Sequence, residues 1–435
     1  MGKKAFWLLL AALAAARLAM MATAPVFEPS EARYAVISAN MARYGDFVVP
    51  RFTHDLEYQS FDGKPPLVFQ AGGVFCKLFG VCEFAVRLFP FLSAALLLFI
   101  LYHSVKKFHG GGSARLAVAV CASCTAFYAA SGVAMTDMSL ACCVAGALLV
   151  YRCFLDGFRL RYAFAAAALL GAGMIVKGPV ALAMFGLPVL LDCVVNRRWK
   201  GVFNLKWLAA APVFFAIAAP WFVLVEMRNP GAVWYFFYNE NFLRFVSHDY
   251  GDKYGAGREA FRGVSLVWAF VVTLPWALLP LVSAWRLRRM PRLIPAAADF
   301  RSFELLSVLA ITGFWCLTSR VLVYYLFPVV PLFAAYFAPR CDQRLVAWLT
   351  PWASSLTVAV LAAALAGGAS FSDSMRGEKT PFSAVENHYA FEFYHGRKTE
   401  AELAPYRSAR SMYMKLRAMR KAEASGAAKK NGGAK

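Results

Sequence analysis

Long apolar runs separated by short polar connectors dominate this chain. A run of about 17 to 25 residues crosses roughly 30 Å of hydrocarbon as a helix. Eleven such runs fall near residues 5–24, 84–105, 114–131, 138–152, 162–176, 179–195, 207–226, 263–284, 302–317, 322–339 and 345–368. They are continuously apolar rather than alternating, which argues against a transmembrane β-barrel. The pattern predicts an all-α polytopic membrane protein. No small-residue cleavage site follows the first run, which is therefore read as a retained helix. One transmembrane unit is expected over residues 1–368. A short polar tail follows over 369–435, and its Ala-, Lys- and Gly-rich end reads as disordered.

The polarity pattern changes most between the first two runs, over residues 25–82. Apolar positions Ala32, Ala35, Val36, Ala39 and Met41, with Ser30 before them and Gly45 after, predict a short amphipathic helix. Such a helix is expected to lie flat at the membrane surface. A second apolar stretch, Leu67 to Phe79, follows Pro65-Pro66 and is expected at the same level. The other sizeable polar segment is 227–262.

Composition and charge sharpen this picture. The chain is 60% hydrophobic and 16% charged, against about 25% charged for soluble domains. Its net charge of +21 is a topology signal. With the N-terminus inside, the inner connectors hold dense basic clusters with few acids, such as Lys106-Lys107, Arg197-Arg198 and Arg288-Arg289. Lys and Arg are retained on the cytoplasmic side, so loop 25–82 faces outward. The same charge attracts anionic lipid headgroups and is not evidence for nucleic acid. The tail falls outside by span parity although it is rich in bases. The ten cysteines do not form a disulfide framework, since most lie in or beside spans as small apolar side chains. Cys76 and Cys82 are the two placed to bridge on the outer side.

Candidate chemistry concentrates on that outer side. Glu28 and Glu31 lie three residues apart, one helical face if helical. Either can serve as a general base or a divalent-metal ligand, and Glu31 can equally just favour a helix N-terminus. Asp137 joins them as a candidate base or metal ligand. Lys64, Lys177, Arg320 and Tyr325 map to the same side. Each charge at a span end can also simply mark the interface. Cations beside carboxylates suit transfer from a phosphate-linked donor, because cations stabilise the departing phosphate while a carboxylate deprotonates the nucleophile. Arg33, His54, Trp221, Arg244 and His248 complete the candidate cavity. The outer aromatics suit either sugar stacking or an interfacial belt. No P-loop, dinucleotide fingerprint, HExxH or nucleophile elbow is present, so an activated donor is expected in lipid-linked form. A flippase using the same cavity without bond breaking is the rival class. Midplane charges and broken helices in paired halves would favour it.

The ordered set EARYAVISANMARYGDFVVP, FDGKPPL, FGVCEFAVRLFP, MTDMSL, GMIVKGPVAL, APWF, NENFLRF and SRVLVYYLFPVVP resembles the bacterial 4-amino-4-deoxy-L-arabinose lipid A transferase family. That family belongs with the protein O-mannosyltransferases of the GT-C fold. The resemblance covers most of residues 25–335. It implies an inner-membrane enzyme that takes sugar from a polyprenyl-phosphate donor to a lipid A, glycolipid or protein acceptor, with its active site facing the periplasm. It implies Glu31 as the acidic first-loop residue, where the family often has Asp-Glu and this chain has Ser30-Glu31. It further implies Lys64 and Lys177 as phosphate contacts, Asp137 as the second-loop acid and Tyr325 as the late tyrosine. A family lysine near that tyrosine is replaced by Val321, with Arg320 adjacent.

Overall fold

The computed structural model describes residues 1–27, 29–54, 57–246, 254, 259–279, 299–377 and 388–396. Among these the protein is helical apart from one two-stranded sheet. Helix α1 spans Lys3–Thr23 and α2 spans Ser30–Tyr44. Strands β1 (Arg51–His54) and β2 (Glu57–Ser60) pair antiparallel, with Arg51 opposite Ser60. They are followed by α3 (Leu67–Phe79), α4 (Glu83–Ala122), α5 (Thr125–Ala130), α6 (Thr136–Leu155), α7 (Leu160–Lys177), α8 (Val180–Asn196) and α9 (Lys206–Arg228). Later helices cover Val264–Val272, Phe303–Cys316, Val329–Phe337, Gln343–Gly377 and His388–His395.

Among the described residues, six helices are long and apolar enough to cross a membrane: α1, α4, α6, α7, α9 and Gln343–Ala366. α3, α8 and Phe303–Cys316 are apolar but shorter. Residues 84–131, read as two runs, begin as the 40-residue α4, which bends where Gly110 takes φ 78°. Only glycine adopts that conformation without strain. α6 is the central helix. It is buried along nearly its whole length and packs against α4, α7 and α8.

Loop 25–82 departs from expectation. α2 is enclosed by protein rather than open along one face. Residues 35–41 are all buried, because α3 and α4 cover one side and His388–His395 covers the other. α2 and α3 approach so closely that a Cβ at Gly72 would sit 2.6 Å from the Ser38 hydroxyl. The helix begins at Pro29 without a side-chain cap and stops at Gly45, whose φ is 80°. α3 does keep an outward face, with Val74, Leu78 and Phe79 exposed.

The tail is not featureless either. The helix Gln343–Gly377 runs through residue 368, and His388–His395 docks on the first loop. Glu392 accepts hydrogen bonds from Asn40 Nδ2 (2.7 Å) and the Thr53 amide (3.0 Å). Arg43 donates to the Glu392 and Phe393 carbonyls. The Tyr394 hydroxyl donates to Glu83 and accepts from the Val26 amide. This part of the tail therefore shares the side of the first loop. All ten cysteines are free, Cys76 and Cys82 included.

One clamp joins the loop to the bundle. Arg87, on α4 and 2% exposed, uses all five N–H donors. Two go to Glu31 (2.8 and 3.0 Å), and three go to the carbonyls of Met21, Ala24 and Pro25. Glu31 also accepts the amides of Phe27 and Ala134, at 3.0 Å each. α1, α2, α4 and the α5–α6 connection are thereby tied at one point. Arg87→Ala leaves a buried carboxylate uncompensated, and it should cost about 3–5 kcal/mol. The Glu31→Ala/Arg87→Ala double variant should melt above either single variant in detergent, because neither charge is then left alone; additive losses would deny the coupling.

Candidate active site

Four helix ends and turns converge on a cavity of about 330 Å³. α7 ends at Lys177 and α6 begins around Asp137, and the two side chains meet at 2.5 Å. Both placements suit the helix dipole, with the acid in a first turn and the base in a last turn. Lys177 also lies over the Tyr325 ring, 4.3 Å from its centre. The turn after Lys177 is set by Gly178, at φ 80°, and a Cβ there would meet the Phe236 ring at 2.4 Å. Phe236 belongs to a π-helical segment, Tyr235–Leu243, so this contact brings that segment over the end of α7. π-helical turns are uncommon and recur at functional sites.

The segment carries Glu240, which is buried and pairs with Lys64 (3.3 Å) and with Arg244 one turn on (3.0 Å). Lys64 comes from the turn between β2 and α3, where Pro65-Pro66 starts the next helix. Arg320 enters from the connection after Phe303–Cys316 and pairs with Glu259 at 3.3 Å. Lys64, Lys177, Arg244, Arg320, Tyr325 and Glu240 all line the one cavity, with Phe314 and Trp315 among its apolar walls.

Burial dominates the electrostatics. It pushes the Lys64 ammonium down to about 8, a shift only partly opposed by Glu240 and reinforced by Arg244 and Lys177. Burial would raise Glu240, but Lys64 and Arg244 outweigh it and hold the carboxylate below its ordinary value. The cavity thus gathers four cations against one lining carboxylate, with Asp137 and Glu259 behind them. An excess of buried donors of this kind is chemically able to hold a phosphate-like anion.

The expected residues divide clearly. Lys64, Lys177, Arg320, Tyr325 and Arg244 come together, and Asp137 touches the set through Lys177. Glu31 is in the clamp and does not line the cavity. Arg33 lies against the Tyr389 ring and donates to the Tyr254 carbonyl. Trp221 donates to the Val48 carbonyl and braces the first loop. Neither lines the cavity, because the docked helix and the loop take their polar ends. His54 closes β1. Glu28 and His248 lie outside the described residues. Among the described residues no group of three His, Cys, Asp or Glu is set to hold a metal ion, and the candidates Glu31 and Asp137 are each engaged by a cation. Glu240 and Arg87 are functional residues that sequence reasoning misses. The i,i+4 spacing of Glu240 and Arg244 in NENFLRF is the available signal for the first. Arg87 sits inside an apolar run and gives none.

The family model for dolichyl-phosphate-mannose-protein mannosyltransferase matches residues 63–223. The undecaprenyl phosphate-α-4-amino-4-deoxy-L-arabinose arabinosyl transferase of Aeromonas salmonicida is 28% identical over 359 residues, 78% of this chain and 62% of that protein. The enzyme of the same name from Serratia proteamaculans is 30% identical over 277 residues, 60% of this chain and 47% of that one. The chain therefore spans less than two thirds of these relatives. The crystal structure of ArnT from Cupriavidus metallidurans bound to undecaprenyl phosphate superposes with a TM-score of 0.67 at 21% identity, covering 91% of this chain and 76% of that one. At that identity the likeness speaks for the fold. With the apolar helices, these findings make the chain a multi-pass membrane protein of the GT-C fold, similar in sequence to the bacterial aminoarabinose transferases.

Proposed function

We propose that this protein transfers a sugar from a polyprenyl-phosphate donor to a lipid A, glycolipid or protein acceptor, at the periplasmic face of the bacterial inner membrane. The observation that carries the reading is the convergence of Lys64, Lys177, Arg244 and Arg320 on one cavity with apolar walls. The names of the relatives, and the undecaprenyl phosphate bound to the similar Cupriavidus metallidurans protein, support the donor class. The asymmetry of basic connectors supports the outward orientation of the cavity.

In this mechanism the donor phosphate displaces the internal carboxylate Glu240 from Lys64 and Arg244. An acceptor oxygen attacks the anomeric carbon from the face opposite the phosphate, forming the new C–O bond as the old one breaks. The electron pair leaves with the phosphate, where the cations stabilise it. The acceptor proton passes to a carboxylate. Asp137 is the proposed base: its partner Lys177 turns to the donor phosphate and leaves the carboxylate free to take the proton. Glu31, saturated by Arg87 and two amides, is proposed to hold the loop in place.

The test is a transfer assay with purified protein, a polyprenyl-phosphate-sugar pool, and lipid and envelope-protein acceptor fractions. Wild type should release free polyprenyl phosphate and label one acceptor class. Donor binding without release from any acceptor would instead favour a flippase. Asp137→Asn should lower kcat by about 10²–10⁴-fold at temperatures where the protein stays folded, although the melting temperature also falls because Lys177 loses its buried partner. Glu31→Gln should lower the melting temperature first. Lost turnover in Glu31→Gln at unchanged stability would move the base to Glu31.

A pH dependence follows from Lys64. As pH rises through about 8 the buried ammonium loses its proton, so affinity for polyprenyl phosphate should weaken. Stability moves the other way. The unfolded lysine still holds its proton between about 8 and 10.4, so folding is favoured as pH rises through that window. Lys64→Arg keeps its charge and should flatten the affinity profile measured by titration with undecaprenyl phosphate. An unchanged profile would place the titration elsewhere.

A further inference from the structure

A second cavity, of about 460 Å³, lies away from the cation cluster, between α1, α4 and α5. Its walls are almost wholly apolar, running from Phe6 and Trp7 past Leu10 and Leu98. Among its polar lining residues, which include His103 and Ser131, stands Arg17, in the middle of an otherwise apolar helix and 3% exposed. Arg17 Nη2 donates to the Ala129 carbonyl at 2.5 Å, but its Nε–H finds no acceptor among the described residues. No carboxylate among those residues pairs with it either. Glu31, the nearby acid, is already held by Arg87. The guanidinium lies flat against Gly132, where a Cβ would come within 2.5 Å of it.

A buried guanidinium without a counter-ion is costly in a bilayer, and natural proteins rarely leave a charge-bearing donor unmet. Gly132 sits in the connection between α5 and α6, and Arg17 lies six residues, about 9 Å, inside the end of α1 at Thr23, a depth from which a long side chain reaches toward the headgroups. From Arg17 to Phe6 the groove follows α1 for eleven residues, roughly 16 Å. That is about the hydrocarbon depth of one leaflet. A cation at one end and an apolar trough of that length fit a lipid with a charged phosphate and a long acyl chain.

We propose that this groove binds an anionic phospholipid of the surrounding membrane, its phosphate on Arg17 and one acyl chain along α1 and α4. The lipid supplies the missing counter-ion. It also braces the α5–α6 connection, which carries the Ala129 carbonyl on Arg17 and the Ala134 amide on Glu31.

The full-length protein, delipidated in neutral detergent, tests this with phosphatidylglycerol, phosphatidylcholine and inorganic phosphate as probes. Binding is read by native mass spectrometry and melting temperature. Phosphatidylglycerol should bind about tenfold more tightly than phosphatidylcholine and raise the melting temperature. Arg17→Gln should abolish that preference. Ala95→Trp fills the trough at an exposed wall position and should block binding with Arg17 intact, so the test survives if Arg17→Gln fails to fold. Lys64→Ala should leave the phosphatidylglycerol effect unchanged. Three results would each overturn the proposal: equal binding of phosphatidylcholine, the same stabilisation by inorganic phosphate, or loss of the effect in Lys64→Ala, which would assign the lipid to the first cavity.

Discussion

The buried Arg87–Glu31 pair is the constraint on which the rest of the architecture depends. A loop of nearly sixty residues between the first spans (25–82) must be fixed against the helix bundle before it can contribute to a site. Arg87 solves this by giving every donor it has to three carbonyls at the end of α1 and to the carboxylate that opens α2. Such a pair adds little net stability over an apolar contact. Its value is geometric, since a planar fork meeting a carboxylate permits one arrangement. The α5–α6 connection joins the same point through Ala134, and Asp137 follows three residues later.

From that fixed point the cavity is assembled out of chain ends rather than helix centres. Lys177 closes α7, Asp137 opens α6, Lys64 precedes α3, and Arg320 follows Phe303–Cys316. Charges at helix ends keep the bilayer cost low and gain from the helix dipoles. The π-helical segment then caps the site. It brings Glu240 to Lys64 across 176 residues of sequence, so the cations sit against an internal anion instead of being left bare.

Much of this is legible in the chain. Lys64, Lys177, Arg320 and Tyr325 carry their signal in short motifs of fixed order, and the structure gathers all four. The helix Ser30–Tyr44 and its stop at Gly45 are also readable, because capping and periodicity are local. The setting of that helix is not. Its small residues look alike whether they face lipid headgroups or a neighbouring helix, and only α3, α4 and His388–His395 decide that they are buried. Arg33 and Trp221 turn to partners outside the cavity, the Tyr254 and Val48 carbonyls; a position in the chain does not say which way its side chain turns.

The sequence by itself determined the class of the protein and the residue types available for chemistry, and its basic connectors set an expectation for their side of the membrane. Hydrophobic run length and the retention of basic residues are properties of single segments, so they need no partner to be read. Tertiary structure alone decided that Glu31 belongs to a clamp, that Glu240 pairs with Lys64 in the cation site, and that Arg17 faces an apolar groove. Each of these rests on groups more than fifty residues apart in the chain, and the energy of a buried charge depends on what surrounds it rather than on its neighbours in sequence.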